Sequence, residues 1–238
     1  AAQLEPRDRS FLHTLLLNAL RRKGEIDAAL SMLLEKPLPR KSGLAKHILA
    51  IGATQLLYLE VPPHAAIDLA VRTAKADPGA MHFAGLVNAV LRKLAGGGAE
   101  FLKAKDGGHS NTPEWLWQRW LRHYGEDRTQ LIGLAHLAEP PTDLSAKADP
   151  ESWAERLNGM LLPTGSIRLP EGHASLTELP GFAEGAWWVQ DAAAAIPALL
   201  FGDLNGKRAL DLCAAPGGKT LQLCAKGAAV TAVDVSKK

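Results

Sequence analysis

Leu210-Asp211-Leu212-Cys213-Ala214-Ala215-Pro216-Gly217-Gly218-Lys219-Thr220 is the stretch on which the fold of the second half of the chain turns. Residues Arg208 to Cys213, with Ala209, Leu210, Leu212 and Cys213 apolar, deliver the chain as a strand into a turn of small residues. Lys219 to Ala225 then has helical patterning, and Ala228 to Val235 reads as a second strand. Strand, short helix and strand in this order make one βαβ unit, so a parallel sheet is expected here. The turn feeds the N-terminus of its helix, whose first N–H groups and positive dipole end suit a carboxylate or a phosphate. Gly217 and Gly218 let the backbone come close to a ligand, and Pro216 removes freedom from the turn. Asp234 follows Gly218 by 16 positions, at the end of the second strand. An acidic side chain there can accept hydrogen bonds from ribose hydroxyls.

Two phosphate-binding readings compete with this one. Gly218-Lys219-Thr220 has the closing G-K-[ST] of a P-loop, but the position that needs its opening glycine is Cys213. The dinucleotide fingerprint G-x-G-x-x-G is also missing, because the two glycines are adjacent. S-adenosylmethionine fits better, with its methionine carboxylate for the helix terminus and its ribose for Asp234. An ordinary βα turn with an incidental aspartate is the bland alternative.

Working outward toward the N-terminus, short strands are expected near Trp187–Val189, Ile167 and Thr142–Ala146. Helices are expected over about 191–200 and 149–160. Thr112 as N-cap and Pro113 at the first helical position should open a helix carrying Trp115, Trp117 and Trp120, which Gly125 ends; a second runs over 127–138. Residues 96–112, with their Gly cluster, Asp106-Gly107-Gly108 and Ser110-Asn111-Thr112, have linker composition. Before them, five apolar-periodic segments and no strand make an all-α domain. Its first helix spans 9–24, with Ser10 as a candidate N-cap and Gly24 as the stop.

With 47% hydrophobic residues in 238 the chain can bury a core and is long enough for more than one compact unit. No segment reaches the roughly 20 uninterrupted apolar residues of a membrane-spanning helix, and the charged first residues do not resemble a secretory signal, so a cytoplasmic location is expected. The only cysteines, Cys213 and Cys224, should both be free thiols. The eight histidines lack ligand spacing, and no metal site is expected. The net charge of +2 conceals a split: residues 1–95 carry 13 Lys and Arg against 8 Asp and Glu, whereas the remainder carries 14 against 17. The basic half is the better candidate for meeting a polyanion, with a merely solvated basic face as the alternative. Three lesser features have double readings. Trp115, Trp117 and Trp120 could stack on bases or pack a core. Arg21-Arg22-Lys23 could bind phosphate or complement the end of a helix. Gln190-Asp191 could be solvated turn residues or could help order the neighbouring loop.

The string from Asp211 to Thr220, with Ala232-Val233-Asp234-Val235 behind it and Trp188-Val189-Gln190-Asp191-Ala192 ahead of it, resembles motif I and its neighbours in RNA cytosine-5 methyltransferases. Arg7-Asp8-Arg9 and the stretch from Leu86 through Asn88 to Arg92-Lys93, within five helices, are similar to the transcription antitermination factor NusB. One bacterial branch, of ribosomal-RNA methyltransferase B type, joins these modules in this order. The resemblance implies a multidomain chain: an all-α NusB-like domain at 1–97, a linker at 98–112, an RNA-handling α+β subdomain at 113–180, and at 181–238 the start of a Rossmann-like methyltransferase domain. It implies that Cys213, Ala214, Ala215, Pro216, Gly217, Gly218 and Lys219 line the methionine part of S-adenosylmethionine, with Asp234 on the ribose. It also implies methylation of cytosine C5 in small-subunit ribosomal RNA by a monomer with no metal. The family's nucleophilic cysteine adds to C6 of the base, and a second cysteine assists release. Neither Cys213 nor Cys224 matches their motifs, so no catalytic residue is expected in this chain, which reads as an excerpt of a longer protein. The rival is a non-catalytic RNA- or protein-binding factor with a relic cofactor loop.

The charge split yields a first prediction. Deleting residues 1–95 should flatten the dependence of log affinity for RNA on log salt, because phosphate contacts release counterions. An identical slope in the two proteins would show that the basic domain makes no phosphate contacts.

Overall fold

The computed structural model describes residues 4–59, 61–103 and 107–236. The chain divides into two compact units, 1–139 and 140–238, each with its own core.

Unit 1 is helical: α1 (Pro6–Arg21), α2 (Lys23–Leu33), α3 (Ala45–Tyr58), α4 (Pro63–Ala76), α5 (Ala84–Lys103), the single turn α6 (Gly107–Ser110) and α7 (Glu114–Ala135). The core follows from periodicity. On α5, Ala84, Val87, Val90, Leu91 and Leu94 recur every three or four residues and are all buried. They meet Ile26 and Leu30 of α2, Ile48 and Leu49 of α3, and Ile67, Ala70 and Ala74 of α4. Beside this core, Glu25 is a buried carboxylate with three kinds of partner. Arg22 Nη1 and the Tyr58 hydroxyl both donate to Glu25 Oε2, at 3.3 and 3.1 Å, and the Glu25 N–H donates to Asn111 Oδ1. Burial and the adjoining carboxylate push the Tyr58 hydroxyl well above the ordinary tyrosine pKa.

Several local expectations change. Helix α1 begins at Pro6, so Ser10 lies inside it and caps nothing. Gly24 does not end a helix; it lies in α2, where a Cβ would fall 1.6 Å from the Ser110 carbonyl oxygen. Its role is close approach of two backbones. Thr112 is not the N-cap of α7: Pro113 holds that place, and the Thr112 hydroxyl instead donates to Gly108 O at 2.8 Å. Gly125 does interrupt α7, with φ 75° and ψ 176°, a region open in practice only to glycine. The linker expected over 98–112 is helix up to Lys103 and again at Gly107–Ser110, because α5 continues through its glycines. Of the three tryptophans, Trp117 is buried and stacks on His109 at 4.3 Å, Trp120 meets His136 edge to face, and Trp115 is exposed. In the basic run, Arg22 is held by Glu25 and Tyr58, and Lys23 pairs with Asp27 one turn on.

Unit 2 contains two sheets. Strands β1 (Asp143–Ala146), β2 (Met160–Leu161), β3 (Ile167–Arg168) and β4 (Trp187–Val189) form an antiparallel sheet in the order β2-β3-β1-β4, with helix α8 (Pro150–Arg156) alongside. Leu144, Ala154, Leu157, Ile167, Leu169 and Trp187 fill its core. Because β4 pairs with β1, this sheet runs across residue 180, where the sequence suggests a subdomain border. Helix α9 (Ala192–Leu199) follows β4. Then β5 (Arg208–Asp211) and β6 (Ala229–Ala232) pair in parallel, joined through α10 (Gly218–Ala225), which is the expected βαβ unit with shorter strands. Ala198, Leu204 and Leu223 form a small core beneath it. Among the described residues no helix is long and apolar enough to cross a membrane.

The backbone approach at Gly24 predicts opposite outcomes for two glycines. Gly24→Ala should destabilise unit 1 by about 1–3 kcal/mol or more through overpacking. Gly96→Ala, on α5 with no atom within 4 Å of the new methyl group, should stabilise it by about 0.5–1 kcal/mol. Urea unfolding of the two variants checks the signs.

Candidate functional site

The turn between β5 and α10 lines one wall of a cleft of about 170 Å³, and the end of β4 with the start of α9 lines the other. Cys213, Ala214, Ala215, Pro216, Gly218 and Lys219 face Val189, Gln190, Asp191 and Ala194. The structure thus gathers six of the eight residues singled out for cofactor binding around one cavity, and Gly217 lies between two of them.

The loop is held from its two flanking strands. Asp211, at the end of β5, accepts the Thr220 hydroxyl at 2.7 Å and the Cys213 N–H at 3.4 Å, tying the turn to the helix beyond it. The Ala214 N–H donates to Val233 O at 3.1 Å, and the Ala215 N–H donates to Asp234 Oδ2 at 2.8 Å. Asp234 is therefore not a bare acceptor awaiting a ribose. Its Oδ1 also accepts the Ser236 N–H at 2.7 Å, and these backbone donors, Ser236 first and Ala215 next, hold its carboxyl below the usual aspartate range. Two carboxylate oxygens offer about four acceptor positions, so capacity for a further donor remains beside these backbone groups.

With the N–H groups of residues 213–215 engaged, the donors left for a ligand are those opening α10. Gly217 is its N-cap at φ 109°, contributes no side-chain cap, and has no atom within 4 Å of where a Cβ would stand. The N–H groups of Gly218, Lys219 and Thr220 have no acceptor within the helix, whose ladder starts with Leu221 N–H on Gly217 O at 2.8 Å. The positive dipole end and the exposed ammonium of Lys219 add to an anion-accepting corner. Cys213 and Cys224 are both exposed free thiols, and only Cys213 lines the cleft.

The opposite wall depends on Gln190 and Asp191, whose sequence left both a solvated and a loop-ordering role open, and on Asp143, which nothing in the sequence analysis singles out as a site residue. Asp143, buried at the start of β1, accepts Arg168 Nε at 2.8 Å and Nη2 at 3.0 Å, and also the Ala192 N–H at 3.1 Å. Asp191 caps α9 through the N–H groups of Ala193 and Ala194. Gln190, itself buried, reaches Gln222 of α10. A charged residue opening a short strand was the available signal for Asp143, but its partners lie 25 and 49 residues away. The Arg168 guanidinium and then the Ala192 N–H hold the Asp143 carboxyl below its ordinary pKa, against the opposing effect of burial.

Comparison with known proteins places these features in context. The NusB family model matches residues 1–96. The ribosomal RNA small subunit methyltransferase B of Cronobacter sakazakii is 34% identical over 98% of this chain and 57% of its own length. The probable ribosomal RNA small subunit methyltransferase B of Synechocystis sp. is 31% identical over 92% of this chain and 53% of its own. The chain therefore spans a little over half the length of the curated relatives it matches. The crystal structure of PH0851 has the same fold, with a TM-score of 0.69 over 99% of this chain and 57% of that one, at 17% identity.

Asp143 gives a pH-dependent prediction. A carboxyl whose pKa is lower in the folded state stabilises fully above its unfolded value near 3.8, and that contribution is lost as pH falls through the folded value. Asp143→Asn should cost about 1–3 kcal/mol at neutral pH, since Arg168 remains partly solvated. It should also flatten the loss of stability below pH 4, measured by urea titration across the acid range.

Proposed function

With residues 1–96 in the NusB family and the chain homologous to ribosomal RNA small subunit methyltransferase B over nearly its whole length, we propose that the protein uses S-adenosylmethionine to methylate C5 of a cytosine in small-subunit ribosomal RNA. The observation that carries this reading is the uncapped N-terminus of α10 opening onto a cleft walled by the Ala214-Ala215-Pro216-Gly217-Gly218-Lys219 turn.

The residues fit the cofactor. A carboxylate at the start of α10 would take the N–H groups of Gly218 to Thr220, with Lys219 supplying the countercharge. The small side chains of Ala214, Ala215 and Pro216 would form the apolar floor beneath the methionine chain, and Asp234, placed by its bonds to the loop, would present its remaining acceptor capacity to a ribose. When bound, S-adenosylmethionine supplies an electrophilic methyl group. Gly217 keeps the approach to the helix terminus free of side-chain atoms, and the closed backbone hydrogen bonds of residues 213–215 keep the turn from rearranging around the ligand. We assign no catalytic residue to these 238 positions: Cys213 sits in the cofactor's wall and Cys224 near the far end of α10. The basic half of the chain, residues 1–95, is proposed to grip the phosphates of the RNA, in a cytoplasmic monomer that needs no metal.

Calorimetric titration of the full gene product with S-adenosylmethionine tests the cofactor assignment. Gly217→Val should weaken binding about tenfold or more, because a β-branched residue at φ 109° costs roughly 1–3 kcal/mol and narrows the approach. Bisulfite sequencing of ribosomal RNA from a strain lacking the gene should show one lost methylcytosine. An unchanged methylation map rejects the C5 assignment and favours a binding factor built on the NusB-family domain.

A further inference from the structure

We infer that Gln190 is a positioning residue for the cofactor cleft, acting through Gln222 to fix the first turn of α10; the inference rests on the reading of that cleft as the S-adenosylmethionine site.

The argument starts from donor and acceptor counts. Gln190 is buried at the end of β4, where its amide can turn either way in principle. Trp188 Nε1 can only donate, and it lies 2.8 Å from one end of that amide, so this end must be the oxygen. The NH₂ end then faces Gln222 Oε1 at 3.0 Å, with Ala194 O at 3.5 Å. Gln222, also buried, is oriented in turn: its oxygen faces Gln190, and its NH₂ donates to Ala195 O at 3.1 Å. A single indole N–H thereby sets the direction of a chain of amides that crosses from β4 to α10 and returns to α9. Reversing one amide would oppose like ends at buried contacts, which the interior penalises heavily.

This chain ends at the site. Gln222 is one helical turn beyond Gly218, on the buried side of α10, and the Gln190 side chain packs against Gly218 itself, 3.5 Å from the place of a Cβ. Gln190 also lines the cleft. The helix whose opening N–H groups would hold the cofactor carboxylate is thus located by a polar contact at its base and a packing contact at its first residue. Helix α10 has only eight residues, and its small core of Ala198, Leu204 and Leu223 leaves its azimuth weakly specified by apolar packing. The directional contact supplies what that core lacks.

The test uses the full gene product and two changes to the amide pair. Gln190→Glu keeps the acceptor for Trp188 but places a carboxylate against Gln222 Oε1. It should weaken S-adenosylmethionine binding by about tenfold or more in calorimetry, with KM for the cofactor rising more than kcat falls in methyl transfer to ribosomal RNA. Adding Gln222→Lys, which can donate both to the new carboxylate and to Ala195 O, should restore most of the affinity. Hydrogen exchange supplies a readout independent of any cofactor: the Leu221 and Gln222 amides should lose protection in Gln190→Glu and regain it in the double variant. Unchanged affinity and exchange in Gln190→Glu, or loss in that variant without recovery in the pair, overturns the inference. If the unaltered protein binds no S-adenosylmethionine, the cleft reading fails, and the exchange data still decide whether Gln190 positions α10.

Discussion

A buried carboxylate, Asp143, is the constraint on which unit 2 turns. It takes two bonds from the Arg168 guanidinium on β3 and one from the Ala192 N–H at the start of α9, so one side chain at the head of β1 fixes a neighbouring strand and the next helix together. Charge burial is costly unless it is repaid by hydrogen bonds, and here three donors meet the two oxygens. Asp191 and Gln190 lie between β4 and the helix that this pin anchors. The other side is pinned by Asp211 and Asp234, whose carboxylates hold the turn by its N–H groups and by Thr220. Two aspartates therefore orient a loop whose own side chains are small, and a third, Asp143, fixes the wall that faces it.

The division of labour between polar and apolar contacts differs in the two units. Unit 1 is held chiefly by interdigitated Leu, Ile, Val and Ala from α2 to α5, with one polar cluster, Glu25, Arg22 and Tyr58, at its border. Such a core tolerates modest repacking, because apolar contacts are non-directional. The region around α10 has a much smaller apolar core and relies on directed amide and carboxylate bonds. That choice keeps the cleft open, because directional bonds specify geometry without filling space.

The helical unit was readable because its signal is local. Periodic apolar residues mark the helices of residues 1–95, and the strand-turn-helix-strand of residues 208–232 declared itself by its apolar patterning around a turn of small residues. The errors fall where a residue's role depends on a distant neighbour. Gly24 looked like a stop signal and is a contact surface for the Ser110 carbonyl, 86 positions on. The glycine-rich stretch after Gly96 looked like a linker, yet α5 runs to Lys103. Asp234 was legible as an acid at the right place, but its present partners, the Ala215 and Ser236 N–H groups, were not.

By itself the sequence determined most of the order of elements, though not strand β2 at the end of the helix expected over 149–160, together with the all-α and α/β character of the two halves and the identity of the turn that lines the cleft, because each of these depends on spacing within about a dozen residues. Only the tertiary structure decided which residues oppose that turn, how Asp143 fixes the opposing wall and Gln190 meets α10, and which N–H groups of that helix lack an intrahelical acceptor. Those facts concern pairs tens of residues apart in the chain. Hydrogen bonding is directional and short-ranged, so its partners exist only once packing has brought the strands and helices within about 3 Å.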